Sequence, residues 1–458
     1  MKKKKTLWGL AGYAALISIL LVSACVVYWN LPFTYGVGDL QISLLAKLKD
    51  LVSPPDPDND VVLVDVAYDK VVVPNYEIRD GSAFRSGDKV IVDRGELASF
   101  LSYLKEIDNY KYVVCDISIN ARYQTDHDEE LFSTISSMRD VVVAASDSIP
   151  EQLVSKTVFA GYEVMKGGDD YMKYSCMIDG RENIALRMWK DITGGTYEEK
   201  SWGISMNGKR CLNSFVPYTR FAVYDTISDE GYENNGGVNQ YDGVINNLGK
   251  IVDEVSVNYL KSDMFKDKII LIGSWREEDQ HDTVVGSQSG LSIIYNAYLA
   301  LVNGDNHLPF FIYLILFLLF WVESVFLLRK IYRTQIRSLV FSRYGFVAWT
   351  GRVMTSGIKC RNAALNLLLS VVLYFFSYSF PIFIVAAVIY VSNELFVNAF
   401  IIGLVFSFLD SLLGEVMAID YKKIDRRRKK KMKDKRNTAK KNWAKALHNT
   451  VLRPNFVD

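Results

Sequence analysis

The sequence predicts an α/β domain, with a mostly parallel sheet and flanking helices, held outside a membrane by four transmembrane helices. Three observations lead there. Long runs with almost no charge interrupt the chain, the strongly basic segments all fall on one side of them, and the block between alternates buried-strand runs with helical patterns.

Residues 7–29 follow MKKKK without a single charge, enough for a bilayer that needs about 20 apolar residues. Residues 308–328 (LPFFIYLILFLLFWVESVFLL) form a second run, with one acid, Glu323, near its end. Residues 363–414 form a third, too long for one span and suited to two. A turn at 392–394 is preferred to one at 378–381, because the second choice leaves Glu394 in the middle of a helix, where a charge is costly.

Charge sets the orientation. The chain averages to +1, but residues 329–361 hold 8 Lys/Arg and no acid, and residues 421–458 hold 15 Lys/Arg against 3 acids. Residues 30–308 are the reverse, with 26 basic and 44 acidic side chains. Short Lys/Arg-rich segments stay in the cytoplasm. The expected plan is therefore a basic start and first span (1–29), an outer domain (30–308), a second span (309–328), a basic inner loop (329–362), two more spans (363–414) and a basic inner tail (415–458). Such a chain is neither one soluble domain nor disordered, since half of it is apolar, and five Cys in 458 residues do not make a disulfide scaffold. The first run reads as an uncleaved anchor, because no A-x-A site follows it. Val22-Ser23-Ala24-Cys25 resembles a lipoprotein cleavage box, but the sequence stays apolar beyond Cys25.

Inside the outer block, 61–66 (VVLVDV), 112–117 (YVVCDI), 140–145 (DVVVAA) and 268–274 (KIILIGS) read as buried strands. Residues 94–106 read as a helix behind an Asp93 N-cap, and 126–138 as another behind Asp126. A third helical pattern covers 291–302. Strands without polar alternation, joined by helices, imply a parallel sheet covered on both faces. Residues 146–260 are less regular, with turn-rich stretches that suit added antiparallel strands or loops.

These pieces resemble the CHASE2 family, extracytoplasmic sensory modules of bacterial receptors. The resemblance rests on VVLVDV followed by IVDRGELASFLSYL, on YVVCDISI, DHDEELFSTI and DVVVAAS, and above all on FKDKIILIGSW and HDTVVGSQSGLSIIYNAYLALVNGDNHLP running straight into a span. It covers most of 61–150 and 265–310, and it implies one span, an outer α/β sensor and three further spans in a bacterial inner membrane. Family receptors usually end in a cyclase, kinase or similar domain. The 44 residues from 415 to 458 are too short for one, so a separate cytoplasmic effector is expected. A homodimer would suit a receptor, although no heptad or GxxxG stripe argues for it.

Ligands of parallel α/β sheets sit beyond the carboxyl ends of the strands. Those ends and the segment after the last strand offer Asp65, Asp69, Asp116, Ser118, Ser146, Ser274, His281 and Asp282 as candidate ligand-binding residues. Clustered carboxylates there suit a small polar ligand or a hard cation, and the plainer reading is that Asp65 and Asp116 cap backbone amides. No HExxH, CxxC, G-x-S-x-G or phosphate-loop spacing occurs, so neither catalysis nor a cofactor is expected. A metal-dependent hydrolase built on Asp65, Asp116 and His281 is the enzymatic alternative, and an envelope scaffold is the structural one. Cys115 reads as a buried thiol, while Cys176 and Cys211 could pair in an oxidising compartment. The run RRRKKKMKDKR (426–436) reads as a flank on anionic lipid rather than a nucleic-acid patch. Residues 442–452, with Trp443, Leu447 and Val451 at helical spacing, could form a docking stub.

Overall fold

The computed structural model describes residues 2–31, 37–53, 60–79, 82–161, 170–171, 173–201, 203–215, 220–221, 245–257, 262–275, 279–283, 286–329, 363–393 and 395–410. They fall into two compact units: 15–321 with 384–398, and 1–14 with 322–383 and 399–458. Two helices, α1 (Lys2–Asn30) and α2 (Val37–Val52), open the chain. Then come β1 (Val61–Asp65), the hairpin β2 (Lys70–Arg79) and β3 (Ser82–Val92), α3 (Arg94–Ile107), β4 (Tyr112–Asp116), α4 (Asp128–Ser137), β5 (Val141–Ala144) and β6 (Thr157–Val158). Short strands β7 (Asp170–Tyr171), β8 (Tyr174–Ser175), β9 (Met177–Ile178) and β10 (Arg181–Glu182) precede α5 (Ile184–Thr193). After it run β11 (Tyr197–Lys200), β12 (Gly203–Met206), β13 (Lys209–Cys211) and β14 (Ser214–Phe215). The block closes with β15 (Ile245–Asn247), α6 (Leu248–Ser256), β16 (Ile269–Gly273), β17 (Gln280–Thr283), β18 (Gly286–Ser289) and α7 (Gly290–Asn303). Beyond it lie α8 (Phe310–Arg329), α9 (Ala363–Asn393) and α10 (Ala399–Asp410).

Six strands form one sheet in the order β15-β1-β16-β4-β5-β6, every pair parallel. The period of two along each strand divides the core. Val62, Val64, Val113, Cys115, Ile270 and Ile272 join a cluster with Phe100 and Leu104 of α3, Leu131 and Ile135 of α4, and Leu248 and Ile251 of α6. Val61, Leu63, Tyr112, Val114, Ile269 and Leu271 face the other way, in a cluster with Leu186 and Met188 of α5 and Ile294 and Ala297 of α7. Burial on both faces is why these strands read as unbroken apolar runs.

Helix α3 begins as expected: Asp93 accepts from the backbone N–H groups of Gly95 and Glu96. Helix α4 does not. Asp126 is not its N-cap; the helix starts at Asp128, and His127 before it caps nothing. Asp128 Oδ1 instead accepts from Thr125 Oγ1 at 2.6 Å and from the buried Arg94 at 2.6 Å. Arg94 also donates to the carbonyl of Asn120 at 2.8 Å, so a long-range ion pair fixes this helix start in place of a local cap. The segment after β16 that holds His281 and Asp282 forms strand β17, paired antiparallel with β18. Cys176 and Cys211 are both buried free thiols, not a disulfide.

Among the described residues two helices are long and apolar enough to cross a membrane, Leu10–Asn30 and Phe310–Leu328, and two shorter apolar stretches, Tyr378–Ser392 and Ala399–Asp410, follow. Helix α9 runs on through Pro381 and ends at Asn393. It meets α10 where Gly403 packs on Ser379 so closely that a Cβ would stand 2.0 Å from the serine Oγ. Tyr378 stacks on Phe406, its ring centroid 5.4 Å away, and donates to Asp410 Oδ2 at 3.2 Å. The basic loop beyond Arg329, the basic tail and its docking stub lie outside the described residues.

Candidate functional site

Helices α3 and α4, which follow β1 and β4, cover one face of the sheet, whereas α7, which follows β16, covers the other. The carboxyl end of β16 is therefore flanked by crevices on both sides, the place where open α/β sheets take ligands. The first, between β1 and β16, is filled. Asp65 is 2% exposed, and its Oδ1 accepts from the N–H groups of Ala67 at 3.0 Å and Trp275 at 3.2 Å. The Trp275 indole N–H donates to the Val64 carbonyl at 3.2 Å. Asp65 thus ties two strand ends together, as the capping reading holds.

The second crevice lies between β16 and β4. Asp116 stands opposite Gly273, next to Ser274, whose Oγ is buried and makes no hydrogen bond. His281 Nε2 lies 3.2 Å from Asp279 Oδ1, and the other oxygen of Asp279 accepts from the Gly290 N–H at the start of α7. The hydrogen bond to Asp279, helped by the charges of Asp279 and Asp116, lifts the His281 pKa against the opposing effect of burial. Asp116, Ser274 and His281 are the part of the expected set that comes near one crevice. Ser118 and Asp282 are exposed, and Ser146 is spent on the carbonyls of Ile119 and Ser148. Among the described residues no group of three or more His, Cys, Asp or Glu has metal-holding geometry.

Asp69 belongs elsewhere. It accepts from the Gly249 N–H in the first turn of α6 and pairs with the carboxyl of Glu96, in the first turn of α3. A Cβ on Gly249 would stand 2.7 Å from Asp69 Oδ1 and 3.1 Å from Glu96 Oε2, so only glycine lets the two carboxyls approach this helix start. Burial, then the charges of Asp69 and Asp93, push Glu96 up to about 7. Asp69 is also raised, chiefly by burial. The sequence does not single out Glu96; its partner Asp69 lies across a β-hairpin, which spacing does not reveal.

Lys173 was also missed. It is 5% exposed, and its Nζ donates to the carbonyls of Tyr28 at 3.1 Å, Trp29 at 3.1 Å and Leu31 at 2.9 Å, at the carboxyl end of α1. Three acceptors match the three hydrogens of an ammonium, while burial pushes the pKa down to about 7. Beside it, Asn30 Oδ1 accepts from the Asn213 N–H at 3.2 Å. Trp29 Nε1 donates to the carbonyl of Phe396, and Gln41 Nε2 to that of Val397 at 2.8 Å, both in the segment between α9 and α10.

No family model, no curated protein and no solved structure matches this chain.

Proposed function

We propose that the chain is a receptor-like membrane sensor. Its CHASE2-like outer domain detects a small ligand or an envelope condition, and four spans relay the state to a separate cytoplasmic protein. The observation that carries this reading is the attachment of the α/β domain to the ends of two apolar helices. Lys173 and Asn213 hold the carboxyl end of α1. At the other helix, Leu212 N–H donates to Asn306 O at 2.8 Å and Leu308 N–H to Arg210 O at 3.2 Å, just before α8 begins. A domain fastened this way passes its own rearrangements to both helices, which a tether of loose linkers would absorb.

Two features support the membrane placement. Leu40, Leu44, Leu48 and Leu51 form an exposed stripe along α2, opposite buried Ile42, Leu45 and Ala46, a pattern that suits a helix lying at a lipid surface. Phe376, Phe380, Ile384 and Val388 are likewise exposed at every fourth residue of α9. The crevice at Asp116, Ser274 and His281 is where a ligand would act, and ligand binding shifts the receptor only if its two states differ in affinity.

Two measurements test the reading. Membrane-impermeant thiol labelling of Ser118→Cys and Ser338→Cys in a variant otherwise free of cysteine should mark the first from outside and the second only after lysis. Pull-downs from solubilised membranes, with the full chain and with one ending at Asp420, should recover a cytoplasmic effector with the full chain alone. Recovery of the same envelope proteins by both, with nothing cytoplasmic, would instead favour an envelope scaffold.

A further inference from the structure

Helix α2 leaves its most apolar side uncovered. At about 100° per residue, Leu40, Leu51, Leu44 and Leu48 fall within a sector about 80° wide. They are 66%, 82%, 52% and 39% exposed, and Val52 beside them is 66% exposed. The opposite side is buried, with Gln41, Ile42, Leu45, Ala46 and Lys49. The helix therefore packs on the protein by one side and shows leucine on the other, where a water-facing helix would show polar residues. The exposed sector offers on the order of 500 Å² of apolar surface, the scale at which a patch marks an interaction site.

What covers the sector follows from where α2 begins. Gln41, in its first turn, donates from Nε2 to the Val397 carbonyl at 2.8 Å, and Val397 lies in the short connection between α9 and α10. The carboxyl end of α1 is bonded to the same connection, through Trp29 Nε1 and the Phe396 carbonyl. So α2 starts where three apolar helices end or begin. The exposed side chains near those ends are apolar as well: Val27 on α1, Ile384 and Val388 on α9. One hydrocarbon surface suits all of them, and the leucine sector continues it. After α2 the sequence turns acidic and proline-rich at once (SPPDPDND, 53–60), so the leucines stop where the polar block starts. Lys47 borders the sector, the place for a lysine that lays its stem on apolar surface and reaches a phosphate with its ammonium. A second copy of the chain fits less well, because each partner of a stable dimer buries about 800 Å².

We infer that the leucine face of α2 is seated in the outer leaflet at the head-group boundary, and that the packing of this leaflet is an envelope condition the chain reads. Binding of interfacial helices depends on lipid composition and curvature, because their apolar face needs room between the head groups. Gln41 passes the movement of α2 to the α9–α10 connection. The inference rests on the proposed membrane placement and needs neither the crevice nor the effector.

The test places p-benzoylphenylalanine at Leu40, Leu44, Leu48 or Leu51, one position at a time, in the full chain held in nanodiscs of phosphatidylethanolamine and phosphatidylglycerol. Mass spectrometry after illumination identifies what each probe has captured. All four positions should give lipid adducts, at least threefold more than the same probe at Asp50, on the far edge of the exposed side. Cross-linked dimers, adducts confined to the same chain, or no adduct at all would overturn the seating. In tightly packed bilayers of saturated lipids the yield at Leu44 should fall at least threefold relative to dioleoyl lipids, while the yield at Phe380, exposed on α9, stays unchanged. No fall at Leu44, or an equal fall at Phe380, overturns the reading of leaflet packing. Labelling of Ser118→Cys from outside and of Ser338→Cys only after lysis, with no lipid adduct on α2, would mean that the placement holds and this inference fails. A pull-down that recovers no effector ends the relay and leaves the lipid adducts standing.

Discussion

Replacing Glu96 with Gln should abolish a pH dependence that this carboxyl builds into the starts of α3 and α6. Glu96 releases its proton near 4.5 in the unfolded chain and near 7 in the folded one. Between those values the folded state holds more protons, so the contribution is full below about 4.5 and is lost as pH rises through 7. Asp69 faces Glu96 from the β1–β2 connection, Asp93 from the α3 cap and Asp253 from α6, and all three charges oppose its ionisation. The shift alone would correspond to about 3 kcal/mol; solvent screening at a partly exposed pair reduces this to about 1 kcal/mol. One kcal/mol is roughly a fivefold change in an opening equilibrium. Hydrogen exchange at Gly249 and Lys250, corrected for intrinsic rates, should therefore speed up about fivefold between pH 5 and pH 8 in the native chain. In Glu96→Gln, whose amide still donates to Asp69, it should stay flat. A parallel acceleration in both proteins would refute the reasoning.

Other substitutions follow from the same geometry. Arg94→Met leaves Asp128 and the Asn120 carbonyl without their buried partner and should cost about 3 kcal/mol, read as a lower thermal midpoint. Asp65→Ala orphans the N–H groups of Ala67 and Trp275 and should cost about 1–3 kcal/mol, with a change in tryptophan emission, whereas Asp65→Asn keeps an acceptor and should cost less. Lys173 titrates near 7 when folded against about 10.5 when free, so the native chain should gain stability as pH rises across that window; Lys173→Met should remove the slope in pH-dependent melts.

Four of the six sheet strands are legible in the sequence because both of their faces are buried, which leaves an apolar run that no surface strand would carry. Strand β15 is not, since its three residues, Ile245 to Asn247, are too few to show a period. The hairpin β2–β3 escapes notice for another reason. Among the described residues it pairs only with itself, from Lys70↔Val92 to Arg79↔Ser82, and leaves Val72, Tyr76, Phe84 and Val90 exposed, so no hydrophobic pattern marks an inner face. Candidate site residues fared by how local their partners are. Asp65 behaves as a strand-end cap, which its position allows one to read. The approach of Asp116 to His281 depends on β16 lying beside β4, and strand order is not written in spacing. Helix α4 misled for a related reason: Asp126 has the chemistry of a cap, but a buried arginine 34 residues before Asp128 decides where the helix begins.

The pairing of residues 210–212 with 306–308 also limits how α8 can move. Sliding the helix lengthwise by one residue, about 3.3 Å, would break both backbone hydrogen bonds and turn every side chain of the segment to the opposite face. Tilting or twisting breaks neither. Gly304, in the left-handed conformation at φ 74°, caps the end of α7 before this pinned segment. Two backbone hydrogen bonds thus oppose a lengthwise slide of α8 more directly than a tilt.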